Sequence, residues 1–214
     1  MESRSGARAA VRPGFRIDRS LALVLLAGLG SGALGAYVYY DDVLRPLSHT
    51  LTIWIALAAC VSARHGGRQA VVRATVVLLS AVLAFYVGKQ VMYTIEYPGM
   101  PYEINMTVVG VWCIFAVVGG LALGSAFCGI GSNGWRDSAS TAAAIGLLVG
   151  DAYRRTSNYH ADTVVVVTAT LAASLLISWL RIRSARQILR VALLAPRWQW
   201  PAGRWCLSRT SSNN

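Results

Sequence analysis

The sequence predicts an all-α, polytopic transmembrane bundle of about six helices, followed by a C-terminal amphipathic helix in the membrane interface. Three observations carry that expectation. Of 214 residues, 55% are hydrophobic and 14% charged, with a mean hydropathy of +0.50, whereas soluble domains sit near ~25% charged. The apolar residues come in blocks such as LALVLLAGL and TVVVVTATLAASLLI, without the alternation that ~10-residue barrel strands require. The arginines lie beside these blocks, where they set topology and attract anionic lipid. In lipid, only helices and closed barrels satisfy their own backbone groups, so helices are expected.

Residues 1–19 carry five arginines, two acids and a proline, and read as a basic, disordered cytoplasmic leader. The leader with Leu21–Leu29 resembles a secretory signal, but the apolar run continues to Tyr40, long enough to span. Residues 20–181 form the expected transmembrane domain. Span 1, Leu21–Tyr40, carries Gly28 and Gly32 in GxxxG spacing, a face that lets helix backbones approach closely. Tyr37, Tyr39 and Tyr40 mark an interfacial belt, and Asp41 and Asp42 face water.

Span 2, about Leu47–Ala63, ends at the basic turn Arg64-His65-Gly66-Gly67-Arg68, where the glycine pair breaks the helix. Span 3 begins near Gln69 and runs toward Tyr97. Pro98 and Pro101 bound the loop that follows. Span 4, about Ile104–Phe127, offers Gly120 and Gly124 as a second close-contact face, and GIGSNGWRD (129–137) reads as a flexible connection. That stretch lacks the GK[ST] and preceding strand of a phosphate loop. Span 5, about Ser138–Val149, is short and weak, and the polar stretch after Gly150 and Asp151 reads as its end. Gly146 and Gly150 repeat the GxxxG spacing. Span 6 is about Thr163–Leu180.

In the tail, 182–214, Arg183, Arg186 and Arg190 share one helical stripe and Ile182, Ala185, Leu189 and Ala192 another. That pattern suits a helix lying among headgroups. The partners so implied are the bilayer and anionic lipids at its cytoplasmic face, with a protein partner or a homo-oligomer as the remaining candidates. Net charge +11 would otherwise suggest nucleic acid, but no groove-reading motif is present. No nucleic-acid partner is expected.

Six spans place both termini on one side. The leader, the 2–3 turn, the 4–5 loop and the tail then hold sixteen of the twenty basic residues. The opposite side holds Arg45, Lys89, Arg154 and Arg155, with six of the nine acids. This asymmetry predicts a membrane protein with both termini cytoplasmic.

Ionisable groups inside a membrane are costly and often functional. Lys89, the only lysine, falls at the outer boundary of span 3, where it can snorkel or meet Asp151, Asp41 or Asp42. Tyr86 and Tyr93 flank it at i−3 and i+4, on one side of the helix. Lys89, Tyr86, Tyr93, Asp151 and Asp41 are therefore the candidate ligand-binding residues of an outer mouth. Asp151 also has a structural reading, capping or pairing with Arg154 or Arg155. His49 and His160 lack a third ligand for a metal site, and no cofactor is implied. The four cysteines read as small buried hydrophobes. No HExxH, GxSxG or paired-carboxylate pattern points to catalysis, so an enzyme is the third reading, behind two others. The first is small-molecule binding or transport at the outer mouth. The alternative is a non-transporting scaffold or accessory subunit whose glycine faces and basic tail recruit proteins.

WIALAACVSAR (54–64), VVLLSAVLAFYVGK (76–89), WCIFAVVGGLALGSAF (112–127) and GLLVGDAYRR (146–155) together resemble a group of uncharacterised bacterial six-helix membrane proteins. The resemblance covers roughly residues 50–155 and implies a tyrosine-rich third span, a small-residue fourth and an acid closing the fifth. Tyr86, the glycines at 119, 120 and 124, and Asp151 fit it. It implies an architecture and no activity. In outline alone, a six-helix bundle of this size also resembles the substrate-binding subunits of vitamin importers.

Overall fold

A computed structural model describes residues 19–100, 102–132 and 134–181. The expected leader (Arg19 apart) and the expected interfacial helix at 182–214 lie outside the described residues. Those that are described are all-helical: α1 Arg19–Tyr40, α2 Arg45–Ser48, α3 Thr52–Ser62, α4 Gly67–Glu96, α5 Met106–Phe127, α6 Trp135–Asn158, a 3-10 turn His160–Asp162, and α7 Thr163–Arg181. Among the described residues four helical segments are long and apolar enough to cross a membrane: α1, α4, α5, and the 3-10 turn with α7 to Trp179. Their outward faces carry Leu23, Leu26, Ile114, Leu121, Leu175 and Trp179, all exposed. Such faces suit lipid, since soluble monomers rarely expose large contiguous apolar patches.

Two expected spans take a different form. Span 2 is a short α2, broken at 49–51, followed by α3, whose 11 residues rise only ~16 Å. Span 5 is much longer than expected: α6 continues through Gly150 and Asp151 to Asn158. Its inward face is Asp137, Thr141, Ala144, Leu148 and Asp151, spaced at helical period but mostly small or polar. Hydropathy misses such a helix because packing against neighbours, rather than an apolar run, holds it.

Glycine decides how the long helices meet. A Cβ on Gly28 would lie 2.5 Å from the Val77 carbonyl oxygen, and one on Gly88 2.8 Å from Ala36 Cβ, so α1 and α4 run parallel with backbones nearly touching. Arg73 on α4 donates to Ser20 Oγ at the start of α1 (2.7 Å), which fixes the same register. On the opposite side of α4, Cβ atoms on Gly120 and Gly124 would meet Thr75 Cα at 2.5 Å and Val71 Cα at 2.6 Å, so α5 packs antiparallel. The faces on α1 and α5 are thus closed within the fold. Gly150 has open space around it, so the expected third face at Gly146/Gly150 is not a close contact at that glycine.

A second cluster joins α3, α5, α6 and α7 through Ile55, Ala59, Phe127, Ile130, Leu148 and Ile177. The glycine-rich connection after α5 is tied into this core rather than loose. Ile130 is fully buried, its carbonyl accepts from Arg64 N–H (2.9 Å), and Asp137 Oδ1 accepts from Gly131 N–H. Along the chain the direction alternates, with α1, α4 and α6 running one way and α3, α5 and α7 the other.

Candidate functional site

A cavity of about 730 Å³ lies between α3, α4 and α5, within the ~300–1,000 Å³ typical of small-molecule sites. On α4, Leu78, Val82, Tyr86 and Lys89 recur at three- and four-residue steps and line one wall. Trp112, Phe115, Gly119 and Leu123 do the same on α5. Trp54, two residues into α3, faces Trp112 edge-on with ring centroids 6.4 Å apart. His49 and the break between α2 and α3 close one end, with Tyr39 from α1 and Arg154 from α6.

Lys89 sits at that end. Its Nζ lies 4.2 Å from the centroid of the Tyr39 ring, an attraction of the cation for the ring face. Tyr40 Oη donates to the Lys89 carbonyl at 3.5 Å, which holds this last part of α4 against α1. Tyr39 packs in turn on His49 (5.7 Å) and Phe85 (6.2 Å). Among the described residues the ion pairs are Arg154–Asp151 (3.0 Å) and Arg155–Asp162 (2.6 Å). Lys89 is in neither, and no acidic side chain lines the cavity.

The expected site residues divide. Lys89 and Tyr86 line the cavity. Tyr93 stands a turn farther along α4, stacked with Tyr97 (5.0 Å) and Tyr102 (4.8 Å). Asp41 accepts from Val43 N–H (3.0 Å) and Leu44 N–H (2.7 Å), which shapes the turn into α2. Asp151 is buried behind the wall. Its Oδ2 accepts from Leu51 N–H (2.7 Å) and its Oδ1 from Arg154 (3.0 Å). α3 has no side-chain cap of its own, so a carboxylate a hundred residues away satisfies a donor at its start. The structural reading of Asp151 holds, and its partners are Leu51 and Arg154 rather than Lys89. Sequence reasoning missed Trp54, Trp112, Phe115, Tyr39 and Arg154. The three-residue step from Trp112 to Phe115 was the available signal on α5, but α5 is apolar on every side and no one face stands out.

The profile of a family of unknown function, DUF6518, matches residues 14–198. The chain belongs to DUF6518. That membership agrees with the resemblance to uncharacterised proteins, and the DUF6518 match takes in every residue lining the cavity. No curated protein and no solved structure matches the chain.

His49, an exposed residue in the connection between α2 and α3, is held below the ordinary imidazole value of 6.5 by partial desolvation first, then by the Arg155 and Arg45 charges. The unfolded chain therefore binds the His49 proton more readily than the folded one. This contribution is fully present above pH 6.5 and is lost as pH falls toward the lowered folded value. Thermal unfolding at pH 7.5 and pH 5 is expected to show lower stability at the acid pH, and His49→Gln to reduce that difference.

Proposed function

We propose that this chain is a multi-pass membrane protein that binds a small molecule in the α3–α4–α5 cavity. The supporting observation is the cavity itself: about 730 Å³, with six aromatic side chains and a single lysine in its lining. Most small-molecule sites are likewise largely apolar with a few placed polar groups. In this reading six segments cross the bilayer: the four apolar ones, the shorter α3, and α6, whose polar inward face is shielded by α3 and α7. Their alternating directions and the arginine asymmetry both suit cytoplasmic termini, which turns the Lys89 end outward. Transport is the natural extension of binding at an outward mouth. The scaffold alternative loses two of its glycine faces, since those on α1 and α5 are already closed against α4.

Gly119 offers the test. It lines the cavity, and a Cβ there would meet only Leu78 Cδ1, at an ordinary 3.7 Å. Gly119→Phe is expected to push a ring between α4 and α5 and obstruct the cavity while leaving the thermal transition within a few degrees of wild type. Protein isolated from membranes in mild detergent is extracted with organic solvent and the extract read by mass spectrometry. A small molecule released by wild type and missing from Gly119→Phe supports the reading. Identical extracts from two equally folded proteins contradict it.

A further inference from the structure

The cavity has two unlike ends. At one, Lys89 carries a charge with no carboxylate partner among the described residues, while Arg154 is engaged by Asp151 and is 63% exposed. At the other, the lining is Leu78, Gly119 and Leu123. From Leu78 to Lys89 on α4, and from Leu123 to Trp112 on α5, is eleven residues each, or ~16 Å at 1.5 Å per residue. Lys89 is partly buried at the lip of an apolar cavity, where the lowered dielectric strengthens its attraction for an anion. Tyr39 supplies only its ring face.

Resting on the reading of this cavity as a ligand site, we propose that its ligand is a single-chain amphiphilic anion. A carboxylate or phosphate monoester head would sit against Lys89, and an apolar chain would run between α4 and α5 toward Leu78 and Leu123. Charge complementarity argues for the head, and the length and apolar character of the lining argue for the chain. A volume of about 730 Å³ is that of a drug-sized site and favours one chain over the two of a bilayer phospholipid. Trp54, Trp112 and Phe115 would give the chain broad, rigid contact surfaces.

The test uses the full chain in nanodiscs of phosphatidylcholine, with radiolabelled dodecanoate and, in parallel, dodecanol as probes, after subtraction of empty nanodiscs. Dodecanoate is expected to bind saturably and about tenfold or more tighter than dodecanol, as befits one charge-assisted contact. Lys89→Gln is expected to remove that preference and Lys89→Arg to restore it. The arginine variant separates loss of charge from loss of fold. Equal binding of both probes, unchanged by Lys89→Gln, overturns the anionic head yet leaves the cavity a ligand site. Acetate displacing dodecanoate as well as octanoate does overturns the apolar chain. Loss of dodecanoate binding when phosphatidylglycerol replaces part of the lipid makes a membrane lipid the occupant and overturns the single-chain ligand. Saturable binding of neither probe, with no molecule extracted from wild type, overturns the cavity as a site altogether.

Discussion

One methyl group added at Gly124 is expected to destabilise the protein by about 1–3 kcal/mol, the usual cost of overpacking a tight contact, while the same change at Gly110 on the same helix costs nothing measurable. At Gly124 the new Cβ would sit 2.6 Å from Val71 Cα and 3.0 Å from the Ala70 carbonyl oxygen, and both are backbone atoms that cannot rotate away. At Gly110 nothing lies within 4 Å. There, Ala removes the backbone freedom of glycine, a gain of up to ~1 kcal/mol in a helix. The same contrast is expected on α1. A Cβ on Gly32 would sit 2.8 Å from Ala84 Cβ and 2.9 Å from the Ala81 carbonyl carbon, whereas Gly30 faces open space. Thermal unfolding of the four alanine variants in one detergent reads the result. Equal shifts at Gly124 and Gly110 would mean that α4 and α5 do not meet as described.

Asp151→Ala is expected to cost about 1–3 kcal/mol, the penalty for stranding a donor that loses its only strong acceptor. The greater part comes from Leu51 N–H at the start of α3, which loses its 2.7 Å bond. Arg154→Ala is expected to cost less than ~1 kcal/mol, as exposed pairs do, because Arg154 reaches mostly into solvent while Asp151 is 6% exposed. Asp151→Asn keeps an acceptor for Leu51 and falls between the two. If Arg154→Ala matched Asp151→Ala in thermal unfolding, Asp151 would act through the ion pair rather than as a cap for α3.

Much of the helix layout was legible because long apolar runs and glycine spacing report on different things. Hydropathy located α1, α4, α5 and α7 to within a few residues, and GxxxG spacing marked Gly28/Gly32 and Gly120/Gly124 as contact faces. It did not say which helix each face would meet. Both meet α4, from opposite sides, and that is a tertiary fact. α6 was under-read because its buried positions are Asp137, Ser138, Thr141 and Ala144. Their inward placement depends on α3 and α7, which no local window contains. The residues after Gly150 read as a loop although alanine and arginine are good helix formers.

The candidate site was legible where one residue type was rare. Lys89 stood out as the only lysine, and Tyr86 followed from helical spacing. Tyr93 shares that spacing but lies past the mouth, because period alone does not say how far along α4 the cavity extends. Asp151 was found for its charge, and its bond to Leu51 spans a hundred residues that no spacing rule connects. The aromatic wall depended on three helices converging and had no signature in any one of them.

The proposed function requires six crossings with the Lys89 end outward, and α3 and α6 are the two that length and hydropathy alone do not support. The most direct measurement is labelling of single cysteines, in a background with the four native ones replaced, by a membrane-impermeant maleimide in intact cells. Arg45, at the start of α2, and Asn158, at the end of α6, are both exposed, as are Arg68 and Ser132 at the opposite end of the fold. The expected result is that Arg45→Cys and Asn158→Cys label from outside, while Arg68→Cys and Ser132→Cys label only after the membrane is opened. Labelling of Asn158→Cys and Ser132→Cys from the same side would show that α6 does not cross, and would contradict the account.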